Sequence, residues 1–120
     1  MKNLDQIRAA NAIEAARKKM GAKEKGEVVK KIPTMIRDNG ILGALAFSKE
    51  AGAGYADCFA AIITHLRSIN ASRAEKLDDF LKELIEADSG EMRRITSEVM
   101  AYLNYLRRFA EKPEKDKGSK

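Results

Sequence analysis

Apolar residues recur at every third or fourth position along the last quarter of the chain. The series is Met92, Ile95, Val99, Tyr102, Leu106 and Phe109. Spacings of three and four place these side chains on one side of an α-helix, and that side needs a partner surface to cover it. No stretch of the sequence shows the sustained alternation of apolar and polar residues that a half-buried strand requires. The sequence therefore predicts an all-α protein.

The same periodicity divides the chain into about six helices joined by short loops. We expect residues 1–112 to form one domain, a compact helical bundle with a single core. Pro113 closes the last helix, and the charged, basic segment 113–120 is predicted to be a disordered tail.

Local signals mark the ends of the predicted helices. The residues that can cap a helix start are Asn3, the pair Ser72 and Glu75, and the pair Asp88 and Glu91. Gly21 is expected to end the first helix, because glycine tolerates the left-handed conformation that often follows a helix. A charged loop is expected at Lys23–Lys25.

Pro33 lies inside the second predicted helix, where it removes one backbone hydrogen bond and disfavours helical geometry at Ile32. We therefore expect a kink or a fresh helix start there, and a stop at Asn39-Gly40. The next helix, Ile41–Ala51, is almost wholly apolar and is predicted to be the most buried. In the fifth predicted helix, the residues expected to face inward are Leu77, Leu81, Leu84 and Ile85.

The charges are unevenly distributed along the chain. Residues 1–74 carry a net charge of +6, residues 75–91 carry −5, and residues 92–120 carry +4. Two basic segments flanking an acidic helix can attract a polyanion on one side and a protein neighbour on the other. Pairing of opposite charges on a solvated surface would explain the same composition without any partner.

Cys58 is the only cysteine, which suits a reducing compartment. The chain shows no apolar signal segment at its start, and its longest uncharged stretches, Ile41–Ser48 and Cys58–Leu66, are far shorter than a membrane span. We therefore expect a cytoplasmic protein.

The residues that could support catalysis are poorly arranged for it. Cys58 and His65 are seven positions apart, about 10 Å along a helix, which is too far for a thiolate–imidazole pair. The glycines of Gly52-Ala53-Gly54 lack the strand and the Gly-Lys-Ser/Thr ending of a phosphate loop. The carboxylates expected on the solvent side of the fifth predicted helix are Asp78, Asp79, Glu83 and Glu86. We predict no catalytic residue, no metal site and no cofactor.

Basic residues cluster more informatively. The side chains predicted opposite the core stripe of the last helix include Arg93, Arg94, Ser97, Asn104, Arg107 and Arg108. Two arginine pairs about 20 Å apart can follow a phosphate backbone, and each guanidinium can hold phosphate through two donors. A favourable helix dipole explains an arginine pair near a helix C-terminus, but not Arg93 and Arg94. A second basic pair, Lys30 and Lys31, lies beside Pro33, and Arg8 belongs to a third group.

Most aromatic residues fall on the core stripes, which leaves Phe47 and Tyr105 as possible exceptions. A base-stacking platform is therefore not expected. The predicted binding mode is contact with a nucleic-acid backbone, with little sequence preference.

Several blocks of the sequence resemble a known family in the same order along the chain. They are LDQIRA at 4–9, VKKIP at 29–33, IRDNGI at 36–41, LAF at 45–47 and EVMAYLNYLRRFA at 98–110. The chain resembles the small helical subunit of the type III-B CRISPR effector complex, the Cmr complex of antiviral defence.

The resemblance implies a non-catalytic subunit that stacks in several copies beside the repeated backbone subunits of that complex. It implies contact with the guide RNA and the target RNA. It implies no contact with a membrane and no small-molecule substrate. Carried over by position, the residues implied in contacting RNA are Lys30, Lys31, Arg107 and Arg108, together with Arg8.

Two other functions remain open at this point. A helical adaptor that binds only proteins would carry the same basic faces incidentally. A helix-turn-helix regulator could use the helices joined at Asn39-Gly40, although Ile41–Ala51 is too apolar for a recognition helix.

Overall fold

The computed structural model describes residues 2–18 and 23–111, and this part of the chain is all-α. Its five helices are α1 (Leu4–Lys18), α2 (Lys23–Ala51), α3 (Ala53–Ser68), α4 (Leu77–Glu86) and α5 (Ser89–Glu111). The all-α prediction is confirmed, with five helices rather than about six. The expected loop at Lys23–Lys25 is wrong, because α2 already begins at Lys23. The expected helix end at Gly21 and the predicted tail at 113–120 lie outside the described residues.

α2 is divided at Gly40, whose φ of 80° and ψ of 162° are not helical. This conformation is essentially restricted to glycine, so Gly40 separates an arm at 23–39 from an arm at 41–51. The expected boundary at Asn39-Gly40 is therefore present, but no fresh start occurs at Pro33, which lies inside the first arm. The buried side chains of Ile32 and Ile36 hold the helix against the core on both sides of the proline.

α5 organises the core by packing against α1 and α2, while α3 packs mainly against α2. The stripe on α5 is confirmed, since Ile95, Val99, Tyr102 and Leu106 are buried, and Met92 and Phe109 pack against them. The expectation that Ile41–Ala51 is the most buried segment is wrong. α3 buries more of its length, including Cys58, Phe59, Ile62, Ile63 and Leu66. The second arm of α2 covers the core with one side only, and its Phe47 is 47% exposed on the other.

α4 buries Phe80 and Leu84 and keeps Leu77 and Leu81 partly covered. Ile85 was expected to face inward, but it is 64% exposed. Its position follows that of Leu84 by about 100° around the helix, which carries the side chain off the edge of the packed face.

The helix caps are partly as expected. The side chain of Asn3 accepts a hydrogen bond from the backbone N–H of Gln6 at 2.9 Å. The side chain of Asp88 accepts one from the backbone N–H of Glu91 at 2.8 Å. The predicted cap at Ser72 is wrong, because α4 begins only at Leu77 and its N-cap residue makes no side-chain cap bond. The hydroxyl of Ser72 instead donates to Glu83 Oε1 at 2.6 Å. Within residues 2–18 and 23–111, no helix is long and apolar enough to cross a membrane.

Candidate nucleic-acid interface

The first arm of α2 and the C-terminal half of α5 form the two walls of a surface groove of about 600 Å³. Its lining residues are Lys30, Pro33, Thr34, Arg37, Met100, Ala101, Leu103, Asn104 and Arg107. Three of them are cations, and none carries a carboxylate or an aromatic ring. Small and apolar side chains form much of the surface between the cations. The groove can therefore admit an extended anionic chain without placing an acidic group against it.

Both arginines of the groove are held by neutral partners. The Arg37 guanidinium donates to Thr34 Oγ1, and that of Arg107 donates to Asn104 Oδ1, each at 3.4 Å. In the part of the chain that the structure describes, neither arginine forms an ion pair. Their positive charges are thus directed by hydrogen bonds but not neutralised by a carboxylate.

The structure brings Lys30 into this groove, close to Glu27, whose carboxylate lies 3.7 Å from the Lys30 ammonium. Lys31 is exposed on the same arm but does not line the groove. Arg108 is likewise exposed next to the groove residue Arg107. Neighbouring positions differ by about 100° around a helix, so each basic pair splits into one groove residue and one flanking residue.

Arg93 and Arg94 line a separate shallow depression on the N-terminal half of α5. Arg93, Met100 and Arg107 are spaced by seven residues, so they follow one line along α5 over about 21 Å. Arg94 is turned about 100° away from Arg93. One arginine of this pair therefore extends the line of the groove, whereas the other points to a different side of the helix.

Arg8 is in a different environment from the other predicted contacts. Its Nε and Nη2 donate to the two carboxylate oxygens of Glu98 at 2.8 and 2.7 Å, and Nη1 donates to Asp5 at 2.7 Å. Only 18% of its side chain is exposed. The hydrogen bond with Glu98, followed by that with Asp5, raises the pKa of Arg8 despite its burial. The charge of Arg8 is already compensated within the fold.

Glu98 also links this ion pair to His65, which is fully buried. The Nδ1 atom of His65 accepts from the Asn11 amide at 2.9 Å, and Nε2 donates to Glu98 at 2.8 Å. The imidazole ring stacks on Tyr102 with 4.3 Å between the ring centroids. Burial lowers the pKa of His65 more than the hydrogen bond to Glu98 raises it. The neutral ring with its proton on Nε2 satisfies both partners, so His65 joins α1, α3 and α5 as a structural residue.

The remaining groups that could take part in catalysis are dispersed. Cys58 is fully buried, and burial raises its pKa to about 12, so the thiol stays protonated. Among the described residues, no three side chains of His, Cys, Asp or Glu are grouped as a metal site. The carboxylates of α4 include Asp78, which pairs with Lys49, and Glu83, which accepts from Ser72.

The sequence interpretation missed Arg37 and Thr34, and it placed Asn104 on the basic face of the last helix without joining that face to α2. Arg37 follows Lys30 by seven positions and therefore returns to the same side of α2. That spacing was a usable signal. The spacing does not reveal that this side of α2 faces Asn104 and Arg107 on α5, which lie some seventy residues later in the chain.

The comparisons with known proteins agree with this architecture. The model of the family described as CRISPR-associated protein (Cas_Cmr5) matches residues 4–112. The chain is similar in structure to a CRISPR-associated Cmr5 family protein from Thermus thermophilus, solved by X-ray crystallography. The TM-score is 0.77 at 24% sequence identity, over 92% of this chain and 96% of that chain. At this level of identity the structural likeness shows the fold alone. No curated protein sequence matches the chain.

Proposed function

The chain belongs to the CRISPR-associated Cas_Cmr5 family, the small subunits of the Cmr complex, and we propose that it holds RNA within such a complex. In this proposal it is a non-catalytic, cytoplasmic subunit of a type III-B RNA-targeting assembly. It stacks beside the backbone subunits and further copies of itself. Its basic groove contacts the ribose–phosphate backbone of the guide–target RNA.

The observation that carries the proposal is the groove between α2 and α5. Lys30, Arg37 and Arg107 line it, none of the lining residues is acidic, and the two arginines are oriented by neutral side chains. Backbone binding needs cations that can exchange a counterion for a phosphate. Lys31 and Arg108 flank the groove and extend its positive field, and Arg93 extends it along α5.

Arg8 has no part in the proposed contact. Its guanidinium has two carboxylate partners inside the fold, and recruiting it for a phosphate would leave Glu98 uncompensated. Arg94 is a peripheral contact at most, because it is turned away from the line of Arg93 and Arg107.

The first experiment is purification of the tagged full-length protein from its native cell under mild conditions. We expect it to co-elute with RNA and with companion protein subunits. Recovery of the protein alone, free of both, would contradict the proposal. Recovery with protein subunits but without RNA would favour a protein-binding adaptor instead.

The second experiment replaces Arg107 and Arg108 by alanine in the recovered assembly. Removing these cations should weaken RNA association and reduce its dependence on salt by about one unit of slope for each phosphate that is no longer neutralised. The matched control is Arg67→Ala, an exposed arginine on α3 that lies 3.9 Å from Glu75. An unchanged salt dependence in the double variant would also favour the adaptor.

A further inference from the structure

Each arginine of the α2–α5 groove is accompanied by a neutral polar residue three positions earlier on its own helix. Thr34 accompanies Arg37 on α2, and Asn104 accompanies Arg107 on α5, with the same hydrogen-bond distance of 3.4 Å in both pairs. All four residues line the groove. The two walls therefore present the same arrangement, an oriented cation beside a neutral hydrogen-bonding group.

These pairs retain unused hydrogen-bonding capacity. A guanidinium has five N–H donors, and the bond to Thr34 or Asn104 uses one of them. The Thr34 hydroxyl keeps its own donor and a second lone pair. The Asn104 amide keeps two donors and one lone pair. Thr34 and Asn104 are exposed, so these groups can reach a ligand that lies in the groove.

A phosphate backbone satisfies the cations whether it belongs to RNA or to DNA. The neutral groups are different, because the ribose 2′-hydroxyl is both a donor and an acceptor and is absent from DNA. Side chains three positions apart on a helix lie about 5–6 Å from one another, which suits a sugar hydroxyl and its neighbouring phosphate. No aromatic ring is among the lining residues, so stacking of bases on aromatic side chains is not an alternative source of selectivity in the groove.

We infer that Thr34 and Asn104 hydrogen-bond the ribose 2′-hydroxyl groups of a chain held by Arg37 and Arg107, so that the groove selects RNA over DNA independently of base sequence. This inference rests on the proposed function and assigns a role within it. The cations supply the attraction, and the two neutral side chains supply the discrimination between the sugars.

The test uses the full-length chain and two fluorescent single strands of about 20 nucleotides, one of uridine and one of deoxyuridine. These strands differ only at the 2′ position, so the ratio of their dissociation constants isolates the hydroxyl. We expect the uridine strand to bind about tenfold more tightly at low salt. A 2′-O-methyl uridine strand, which lacks the donor, should bind about as weakly as the deoxyuridine strand.

The decisive variant is Thr34→Val with Asn104→Leu, which removes the neutral groups and keeps both arginines. Its affinity ratio between the strands should fall to about twofold or less, and the loss of the hydrogen bonds that orient the two arginines should weaken both strands alike. The matched control, Arg37→Gln with Arg107→Gln, should weaken both strands equally and preserve the ratio. Circular dichroism and thermal unfolding of each variant check that the helices are intact.

The two possible failures are distinguishable. If the ratio is close to one in the parent protein, or unchanged in the Thr34→Val and Asn104→Leu variant, the inference is overturned while RNA binding by the groove stands. If neither strand binds, or if the arginine variant binds both as well as the parent does, the proposed function itself fails.

Discussion

Arg8 and Arg107 are arginines on two helices that pack together, and their surroundings are opposite. Arg8 meets two carboxylates and is mostly buried between α1 and α5. Arg107 meets an amide oxygen and lines an open groove between α2 and α5. The first arginine has its counter-charge built into the fold, whereas the second has no carboxylate partner among the described residues.

The difference teaches how a basic protein can separate stability from binding. The cluster of Arg8, Glu98, His65 and Asn11 uses its hydrogen bonds to join three helices. Among the described residues, no buried polar side-chain atom is left without a partner. The hydrogen bonds of the two groove arginines are longer, at 3.4 Å, and their partners Thr34 and Asn104 are exposed. Substitutions should therefore affect folding in the cluster and ligand binding in the groove.

The largest expected effect is that of Glu98→Ala. This change leaves the mostly buried guanidinium of Arg8 with Asp5 alone and removes the acceptor of His65. The free energy of unfolding should fall by about 3 kcal/mol, as measured by urea denaturation. The exposed pair of Glu14 and Lys18 on α1 is the control, and Glu14→Ala should leave stability unchanged.

A double-mutant cycle sharpens this test. Arg8→Met combined with Glu98→Leu removes both charges and should recover most of the stability that the single substitution at Glu98 loses. Additive losses from the two single substitutions would show that the ion pair is not the interaction that matters.

The next effect is a dependence of stability on pH through His65. Because burial holds the folded-state pKa of His65 below its ordinary 6.5, the unfolded chain takes up a proton first as the pH falls. Stability should thus be full above pH 6.5 and decline below it, by at most about 1.4 kcal/mol per pH unit. Urea denaturation at several pH values measures this, and His65→Gln should flatten the decline.

Protonation of Glu98 should cause a second loss of folding stability at lower pH. Burial raises the pKa of its carboxyl, but the hydrogen bonds from Arg8 and His65 outweigh burial and keep it below the ordinary 4.5. Its contribution is present above pH 4.5 and is lost as the pH falls below that value. Stability that instead rises between pH 7 and pH 5.5 would mean that the imidazolium, not the neutral ring, is the form the fold favours.

Substitutions in the groove should change RNA binding and leave folding stability unchanged. Arg107→Gln should weaken RNA binding about fivefold, because one phosphate is left without its cation, and should leave the free energy of unfolding unchanged. Fluorescence anisotropy with a single-stranded RNA and urea denaturation of the same preparation measure the two quantities. A loss of stability comparable with that of Glu98→Ala would break the distinction between the two regions.

The smallest effect is expected at Arg108, which adjoins Arg107 in sequence but flanks the groove. Arg108→Gln should weaken RNA binding by less than about twofold, since an exposed charge outside the groove acts mainly through its field. Equal effects of Arg107→Gln and Arg108→Gln, measured under the same salt, would indicate a broad charged face in place of a groove.

Much of the fold was predictable because helical periodicity is a local property of the chain. The stripe on α5, the caps at Asn3 and Asp88 and the break at Gly40 each depend on residues within a few positions of one another. The errors came where packing decided the outcome. Ile85 lies just beyond the face of α4 that the core covers, and the second arm of α2 is covered on one side only.

The site was predictable in part for the same reason. The basic pairs are visible in the sequence, but their members have different surroundings in the structure. Lys30 and Arg107 share a groove, while Lys31 and Arg108 flank it. Arg8 could be chosen from the sequence as a phosphate contact because nothing nearby reveals Glu98, which is ninety positions away.

The sequence by itself determined that this protein is helical, which side of α5 is buried, and, through residues 4–112, the family to which it belongs. Tertiary structure alone decided which cations keep an uncompensated charge. That outcome depends on how α1 and α2 pack against α5, because the packing of α1 brings Arg8 to Glu98, whereas no acidic residue lines the groove between α2 and α5.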